Sequence, residues 1–328
     1  METKFFVALD VHVESTEYVV RTWRGDVVLE GSCATSYPDL KSILEPYMHS
    51  CVVGIEASTC FYPLRAGFMH DNITVKVANV LQIRQLIAKT DKLDARRLSD
   101  MLRLGTFPES FIPPKEIQEL RELVAIRHSF LQESNKVESK IWASLARDGI
   151  KIPTRSLFTK EGFKHVNAIS SSKRGSWNLK CLVSHYEYLT NQLENTTQAL
   201  TKKVEQYFPK EFEKLQEIDG IGKIIASYVI AEVCPISRFS SEKKLRRYAG
   251  VIPCLRESAG KPHGSLLPKA SSRALLRWAL VMAAHASKRK KGSRLQAYYN
   301  SKKKAAKQKK IMSVARCISD LVYKKLNE

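Results

Sequence analysis

Four acids stand apart from the other carboxylates by where they fall. Asp10 ends the apolar run KFFVALD, Glu56 follows the apolar run from Cys51 to Ile55, and Asp91 and Asp94 share the segment KTDKLDA. Acids at strand ends project from one edge of a sheet, and an i,i+3 pair shares one face of a helix. If that helix crosses that edge, four carboxylates converge. So many like charges stay ionised together only around cations. Two Mg²⁺ ions about 4 Å apart would then activate an attacking oxygen and stabilise a leaving one. Singly, each acid has an ordinary alternative: Asp10 as a turn cap, Glu56 as a helix cap, and Asp91 and Asp94 as a solvated face beside Lys89, Lys92, Arg96 and Arg97.

A second constellation lies in Arg256-Glu257-Ser258-Ala259-Gly260-Lys261. Pro253, Gly260, Pro262 and Gly264 bound it, so it reads as a loop that exposes Ser258. Arg256, Lys261, His263 and Lys269 are cations suited to holding a phosphate and the charge that develops on it. A serine hydroxyl is a weak nucleophile without a base or a metal, and a turn serine is the plain alternative. Ser265, Ser271 and Ser272 are the other serines of the block. Upstream, Gly220-Ile221-Gly222 before an apolar helix has the form of a helix-hairpin-helix turn, whose backbone N–H groups can meet a phosphate. A glycine-rich helix connection without a ligand fits it equally. Downstream, residues 288–310 hold eleven Lys and Arg and no acid, Lys302, Lys303 and Lys304 among them. With Tyr298 and Tyr299 between the charges, the run suits nucleic-acid backbone binding with some stacking; a solvated basic tail is the alternative.

These residues need a scaffold. Residues 4–10, 15–22 and 26–31 read as a strand meander, 38–48 as a helix, 51–55 as a strand, 62–71 as a short helix and 75–80 as a fifth strand. That β-β-β-α-β-α-β order predicts a mixed sheet with flanking helices, the RNase H-like arrangement. Helical spacing continues from about Leu81 to Leu104 and is closed by Gly105, Pro108 and Pro113-Pro114. Two long amphipathic stretches follow, Ile117 to Leu145 and about 178–206. They predict either an antiparallel coiled-coil hairpin that assembles subunits or ordinary core helices. Residues 151–177, rich in Lys, Ser and Gly, read as a loop or short elements. Helices are expected near 223–233, 272–287 and 311–326.

Composition narrows the partner. The chain has 328 residues, 44% of them hydrophobic, enough to fill real cores. Its 54 Lys and Arg against 33 Asp and Glu give a net charge of +21, a field that captures polyanions. No 18-residue apolar run and no secretory start is visible, so nucleic acid is favoured over lipid. Seven scattered cysteines without a CxxC pair indicate neither a disulfide framework nor a zinc knuckle. A reduced, cytoplasmic protein is expected.

The segment KTDKLDARRLSDML resembles the KTD-x-x-DA block of the DEDD transposases of bacterial insertion sequences, the bridge-RNA-guided recombinases related to the Piv DNA invertases. The strand ending in Asp10 and the segment Ile55-Glu56-Ala57-Ser58 are similar to that family's first two acidic motifs, in order. IDGIGKIIASYVIAEV, RRYAGVIPCLRESAGKPHG and KASSRALLRWALVMAAH resemble its C-terminal domain. The resemblance implies an α/β plus α protein: a RuvC-like catalytic domain over 1–107, a helical coiled-coil region over 108–208 and a mostly helical serine transposase domain over 209–328. It implies that Asp10, Glu56, Asp91 and Asp94 ligate Mg²⁺ and that Ser258 is the nucleophile. It further implies that double-stranded DNA is cut and rejoined through a phosphoserine, under a structured guide RNA, by a homo-oligomer of two to four subunits. Gly220, Gly222, Arg256, Lys261, Lys269 and the three lysines of the basic run are the expected nucleic-acid contacts. The sequence departs from the family pattern at His12, Cys60 and Ala259. A Piv-like invertase, or a RuvC-like nuclease in which water attacks, would use the same acids.

Overall fold

The structure, a computed structural model, describes residues 4–79, 83, 91–151, 159–172, 176–252, 254–258, 261–266, 273–303 and 305–328, with only the backbone at 91–94, 254–258 and 261–266. The chain divides into two compact units, Met1–Pro113 and Pro114–Glu328.

The first unit runs β1 (Phe5–Val11), β2 (Ser15–Thr22), β3 (Val27–Ala34), α1 (Tyr37–Met48), β4 (Cys51–Glu56), α2 (Phe61–His70) and β5 (Thr74–Ala78). This is the order that the hydrophobic patterning predicts. The sheet order is β3-β2-β1-β4-β5. β2 is antiparallel to β1 and β3, while β4 is parallel to β1 and β5. Such a five-stranded mixed sheet is consistent with the RNase H-like arrangement. Strand alternation sorts its two faces. Val7, Leu9, Val11, Val53, Ile55 and Val77 join Leu40 and Leu44 of α1 and Phe61, Leu64 and Phe68 of α2 in one buried cluster. The opposite face carries small residues, Ala8, Gly54 and Ala78. Against it lies α3 (Asp91–Arg103), packed on β1, β2 and β4. The predicted helix from Leu81 thus has its described part at 91–103; residues 80–82 and 84–90 lie outside the described residues.

In the second unit α4 (Lys115–Arg147) and α6 (Trp177–Tyr207) run antiparallel. Ile117, Leu120 and Val124 meet Leu200 and Val204, whereas Val137, Ile141 and Leu145 meet Leu179, Val183, Tyr186 and Leu189. The far end of this pair is covered by α5 (Lys160–Ser171), where the composition had predicted a loop or short elements. Its start is set by Thr159, whose hydroxyl accepts from the Gly162 N–H at 3.0 Å. Val166 fills the space between the long helices. The near end shares one core with α7 (Pro209–Gln216), α8 (Lys223–Val233), a 3₁₀ turn (Ile236–Arg238), α9 (Glu242–Ala249), α10 (Ala274–Ser287), α11 (Arg294–Ser301) and α12 (Lys307–Asn327). The apolar stripes of α4 and α6 are therefore largely spent inside the chain, on α5 and on the C-terminal helices, and do not by themselves call for a second subunit. A hairpin, β6 (Cys254–Ser258) with β7 (Lys261–Leu266), interrupts the helices. No described helix is long and apolar enough to cross a membrane.

At the α7–α8 turn Gly220 has φ +94°, and a Cβ there would stand 2.3 Å from the Ala283 carbonyl and 2.9 Å from the Ser287 nitrogen of α10. Both obstacles are backbone and cannot swing away. Gly222, the N-cap of α8, has open space around it. Gly220→Ala should therefore cost more than about 2 kcal/mol, from left-handed strain plus displacement of α10, whereas Gly222→Ala should cost at most about 1 kcal/mol. Chemical denaturation of the two variants checks this; equal losses would show that α10 gives way freely.

Candidate active site and nucleic-acid interface

The two acids at strand ends come together through the parallel pairing of β1 and β4. Leu9 pairs with Ile55, so one step further Asp10 and Glu56 stand side by side where the strands end. Glu56 is also paired with Ala78 of β5. Both acids fall on the Ala8–Ala78 face, the one that α3 covers. Asp10 is 5% exposed and Glu56 half-buried. The helix then supplies the direction. Leu102 packs over Gly54, and Leu98 clusters with Ala8 and Ala78, so walking back along α3 leads toward the strand ends. Position 94 lies one turn before Leu98 and position 91 one turn before Ala95, which is itself buried. Backbone placement thus brings all four predicted acids to one end of the sheet. The side chains of Asp91 and Asp94 lie outside the described residues, and among described residues no group of three possible metal ligands forms. A neighbour the sequence reading passed over is His12, whose Nε2 lies 3.5 Å from Asp10 Oδ2. His12 stands just past the end of β1, two residues from Asp10, and that spacing was the available signal.

Ser258 ends β6 rather than lying in a loop, opposite Lys261, with residues 259 and 260 between them. The flanks of Ala259-Gly260, CLRES and KPHGSL, do not alternate apolar with polar residues, so no strand pattern marked the hairpin. A two-stranded sheet has a free edge on each strand, so Pro262 can sit in β7 without breaking a ladder. The register shifts between Leu255 and Glu257, at Arg256. Side chains of Arg256, Ser258 and Lys261 lie outside the described residues, as does Lys269 altogether.

What the sequence did not reveal is how the segment carrying the hairpin is anchored. Before it, the Val251 carbonyl accepts from Arg316 Nε at 2.7 Å. After it, the Arg273 N–H donates to the Tyr248 carbonyl at 3.1 Å, and Arg273 Nε donates to Glu232 Oε2 at 2.7 Å. Glu232 is 2% exposed, in the last turn of α8. The end of α8 is further held by Arg121 Nε on the Ala231 carbonyl at 2.9 Å and Arg238 Nη2 on the Glu232 carbonyl at 2.6 Å. These guanidiniums satisfy carbonyls at the negative end of the helix. Burial lowers the Arg121 pKa, with Arg273 and Arg238 adding to the effect and Tyr248 and Glu232 opposing it.

The basic run is folded rather than a free tail. Lys302 Nζ stands 4.6 Å from the Tyr298 ring centroid, and Lys288 and Lys310 each 5.5 Å from that of Tyr299. The Tyr298 hydroxyl bonds Ser313 at 3.0 Å. Both rings thus already carry cations of their own chain, so the stacking role expected of them is partly taken. Lys290 pairs with Asp219 beside the glycine turn and, with Ser293, holds the Asp219 carboxyl below its usual pKa. Lys303 is exposed, and Lys304 lies outside the described residues.

Two family models match the sequence. One, described as a transposase and built on the DEDD domain, covers residues 7–147, and with them all four acids. The other, described as the transposase IS116/IS110/IS902 family, covers residues 212–300, which include the glycine turn and the hairpin. No curated protein matches the chain. With both matches falling on the elements just described, the chain is a DEDD-type DNA transposase, an enzyme of phosphoryl transfer.

Proposed function

We propose that this transposase breaks and rejoins double-stranded DNA with a divalent-cation site at the β1–β4 edge and Ser258 as its nucleophile. The observation that carries the first half is the placement of Asp10 and Glu56, neighbours on parallel strands, on the face that α3 crosses with Asp91 and Asp94 in its first turn. A buried aspartate beside a second carboxylate is disfavoured by desolvation and repulsion, and hard oxygen donors suit Mg²⁺. Asp10, Glu56, Asp91 and Asp94 would hold it, as two ions on the family pattern. When bound, the cation supplies Lewis acidity and charge neutralisation to phosphate oxygens. His12 is placed to orient Asp10. Asp10→Asn or Asp94→Asn should abolish Mg²⁺-dependent strand cleavage and leave nucleic-acid binding within about twofold. Cleavage at the normal rate by either variant would end this reading.

The second half rests on the resemblance and on the placement of Ser258 at the end of a strand, opposite Lys261, in a segment tied to the core on both sides. Attack by Ser258 Oγ on a DNA phosphorus forms a serine phosphoester as the bond to the departing strand's oxygen breaks. The hydroxyl proton leaves to a base, and the departing oxygen takes one up. The ester keeps the bond energy, so a DNA hydroxyl can reverse the step without ATP. Arg256, Lys261 and Lys269 are the cations proposed to hold the phosphate. Ser258→Ala should lose both the covalent protein–DNA adduct and the recombined product, while Ser265, Ser271 and Ser272 variants keep the adduct. A RuvC-like nuclease using water would be indifferent to Ser258, and a phosphoryl group mapped by mass spectrometry to another side chain would overturn the assignment. A Piv-like inversion shares the chemistry and differs only in how the two sites are arranged on DNA.

The folded basic run is proposed to contact phosphates, with backbone amides of the Gly220–Gly222 turn as a further contact. Replacing Lys302, Lys303 and Lys304 by Gln should reduce the slope of log affinity against log salt by up to about three units. An unchanged slope would leave the run without a nucleic-acid role. A guide RNA and assembly into a dimer or tetramer rest on the resemblance and on the charge of +21. Sequencing nucleic acid that co-purifies with the chain, and sedimentation of the resulting complex, test both; recovery of free monomer alone would remove them.

A further inference from the structure

Arg127, in the middle of α4, is a buried charge with no charged partner among the described residues. It is 6% exposed. Its Nε donates to Thr197 Oγ1 of α6 at 2.7 Å and its Nη1 to the Tyr228 hydroxyl of α8 at 3.1 Å. The guanidinium carbon lies 5.7 Å from the Tyr228 ring centroid. Both hydrogen-bond acceptors are neutral. Among the described residues no carboxylate lies within ion-pair distance of it, although Arg96, Arg246 and Arg273 each have one. A guanidinium has five N–H donors in a fixed fork, and the two bonds here leave three of them. A buried cation left without a counter-ion is strongly disfavoured, so such a group is retained where something else completes it.

The geometry also shows where the missing anion would enter. Arg127 lines a cleft of about 700 Å³ between α4, α5 and α6, together with Lys160, Thr190, Asn191 and Gln198. Glu187 and Glu194 stand on its rim, both exposed, and Lys160 offsets them in part. Exposed rim charges are screened by solvent, whereas the floor charge is not, so the floor sets the preference for an anion. The Thr190 and Thr197 hydroxyls already donate to the helix carbonyls of Glu187 and Leu193. The donors left for a ligand are therefore the Arg127 fork, Lys160 and the Asn191 and Gln198 amides.

We infer that this cleft is a phosphate-binding site, with Arg127 at its floor as the counter-ion. A planar fork matches two phosphate oxygens, and bidentate pairing of this kind is among the strongest that a side chain makes. The site is independent of the acidic edge, of Ser258 and of the basic run. The phosphate belongs either to a nucleic-acid strand seated between the long helices or to a free ion.

The experiment is thermal denaturation of the full chain in inorganic phosphate, against chloride at equal ionic strength, for the wild type, Arg127→Met and Arg127→Gln. The wild type should gain about 3 °C at ten times the dissociation constant, and both variants should gain nothing. In chloride alone Arg127→Met should melt no lower than the wild type, since it removes an uncompensated buried charge; a purely structural arginine would give a clear drop. A short oligonucleotide in place of phosphate separates the sources: an Arg127-dependent rise at lower concentration assigns a strand phosphate, and a rise with inorganic phosphate only assigns the free ion. Should neither variant fold, phenylglyoxal modification of Arg127 in the wild type, read by peptide mass, should slow at least tenfold in saturating phosphate. No phosphate response in the wild type, a response kept by a neutral variant, or modification at an undiminished rate would overturn the proposal.

Discussion

The first unit depends on how closely α3 can lie on the sheet. The side chains between a helix and the sheet it covers set how far apart the two stand. Here the covered face offers Ala8, Gly54 and Ala78 in neighbouring positions on three adjacent strands. A Cβ at Gly54 would already lie 2.5 Å from Leu102 Cδ1 and 3.0 Å from the Phe107 ring. Leu98 and Leu102 therefore seat directly on the backbone of β1 and β4. That contact fixes the helix along the strand direction, and with it the height of its first turn above the strand ends. Shifting α3 by one turn would move residues 91 and 94 by about 5 Å along the strands. The three small residues thus set where the first turn of α3 stands over the strand ends.

The second unit solves a different problem, how to hold a two-stranded hairpin steady among helices. Two strands alone bury little and are marginal in water. The stability is therefore borrowed from the ends. Arg316 fixes Val251, and Arg273, bound to Tyr248 and to buried Glu232, fixes the return. Glu232 is in turn part of α8, whose residues from Ala226 to Val233 are all buried. A helix apolar on every side belongs at the centre of a core, and an acid in it must be paired. Arg121 and Arg238 close the same helix end, so one buried terminus ties α4, α8 and the start of α10 together.

The sequence disclosed those elements whose periodicity is clean. All five strands of the sheet and the helices at 37–48, 115–147, 177–207, 223–233 and 307–327 were legible from alternation or from 3.6-residue spacing. It concealed elements whose composition argues against them. α5 carries Gly162 and ends in a run of serines, yet Thr159 caps it and the gap between two long helices rewards Val166. β7 includes Pro262 and Gly264, and only the pairing with β6 makes it a strand. Asp10 and Glu56 were singled out by type and by position at strand ends, but their common face follows from the Leu9–Ile55 register, which no local pattern specifies. Arg127 and Glu232 looked like ordinary helix residues; burial alone makes them notable, and burial is a tertiary property.

The arrangement also explains why so basic a chain concentrates its free charge where it does. Five arginines of the second unit are bound to carbonyls or carboxylates, namely Arg121, Arg238, Arg246, Arg273 and Arg316, whereas buried Arg127 meets only hydroxyls. Lysines dominate the run from 288 to 310, and only Lys290 there pairs with an acid among the described residues. Guanidiniums keep their charge when buried and make directed bonds, so they suit the scaffold; ammonium groups are strongly hydrated and suit a solvated face. The lysines of this run are thus held at the surface by α11 and α12, while those five arginines are committed to the fold. Long-range attraction and internal structure thus draw on different residues, and either can change in sequence without dismantling the other.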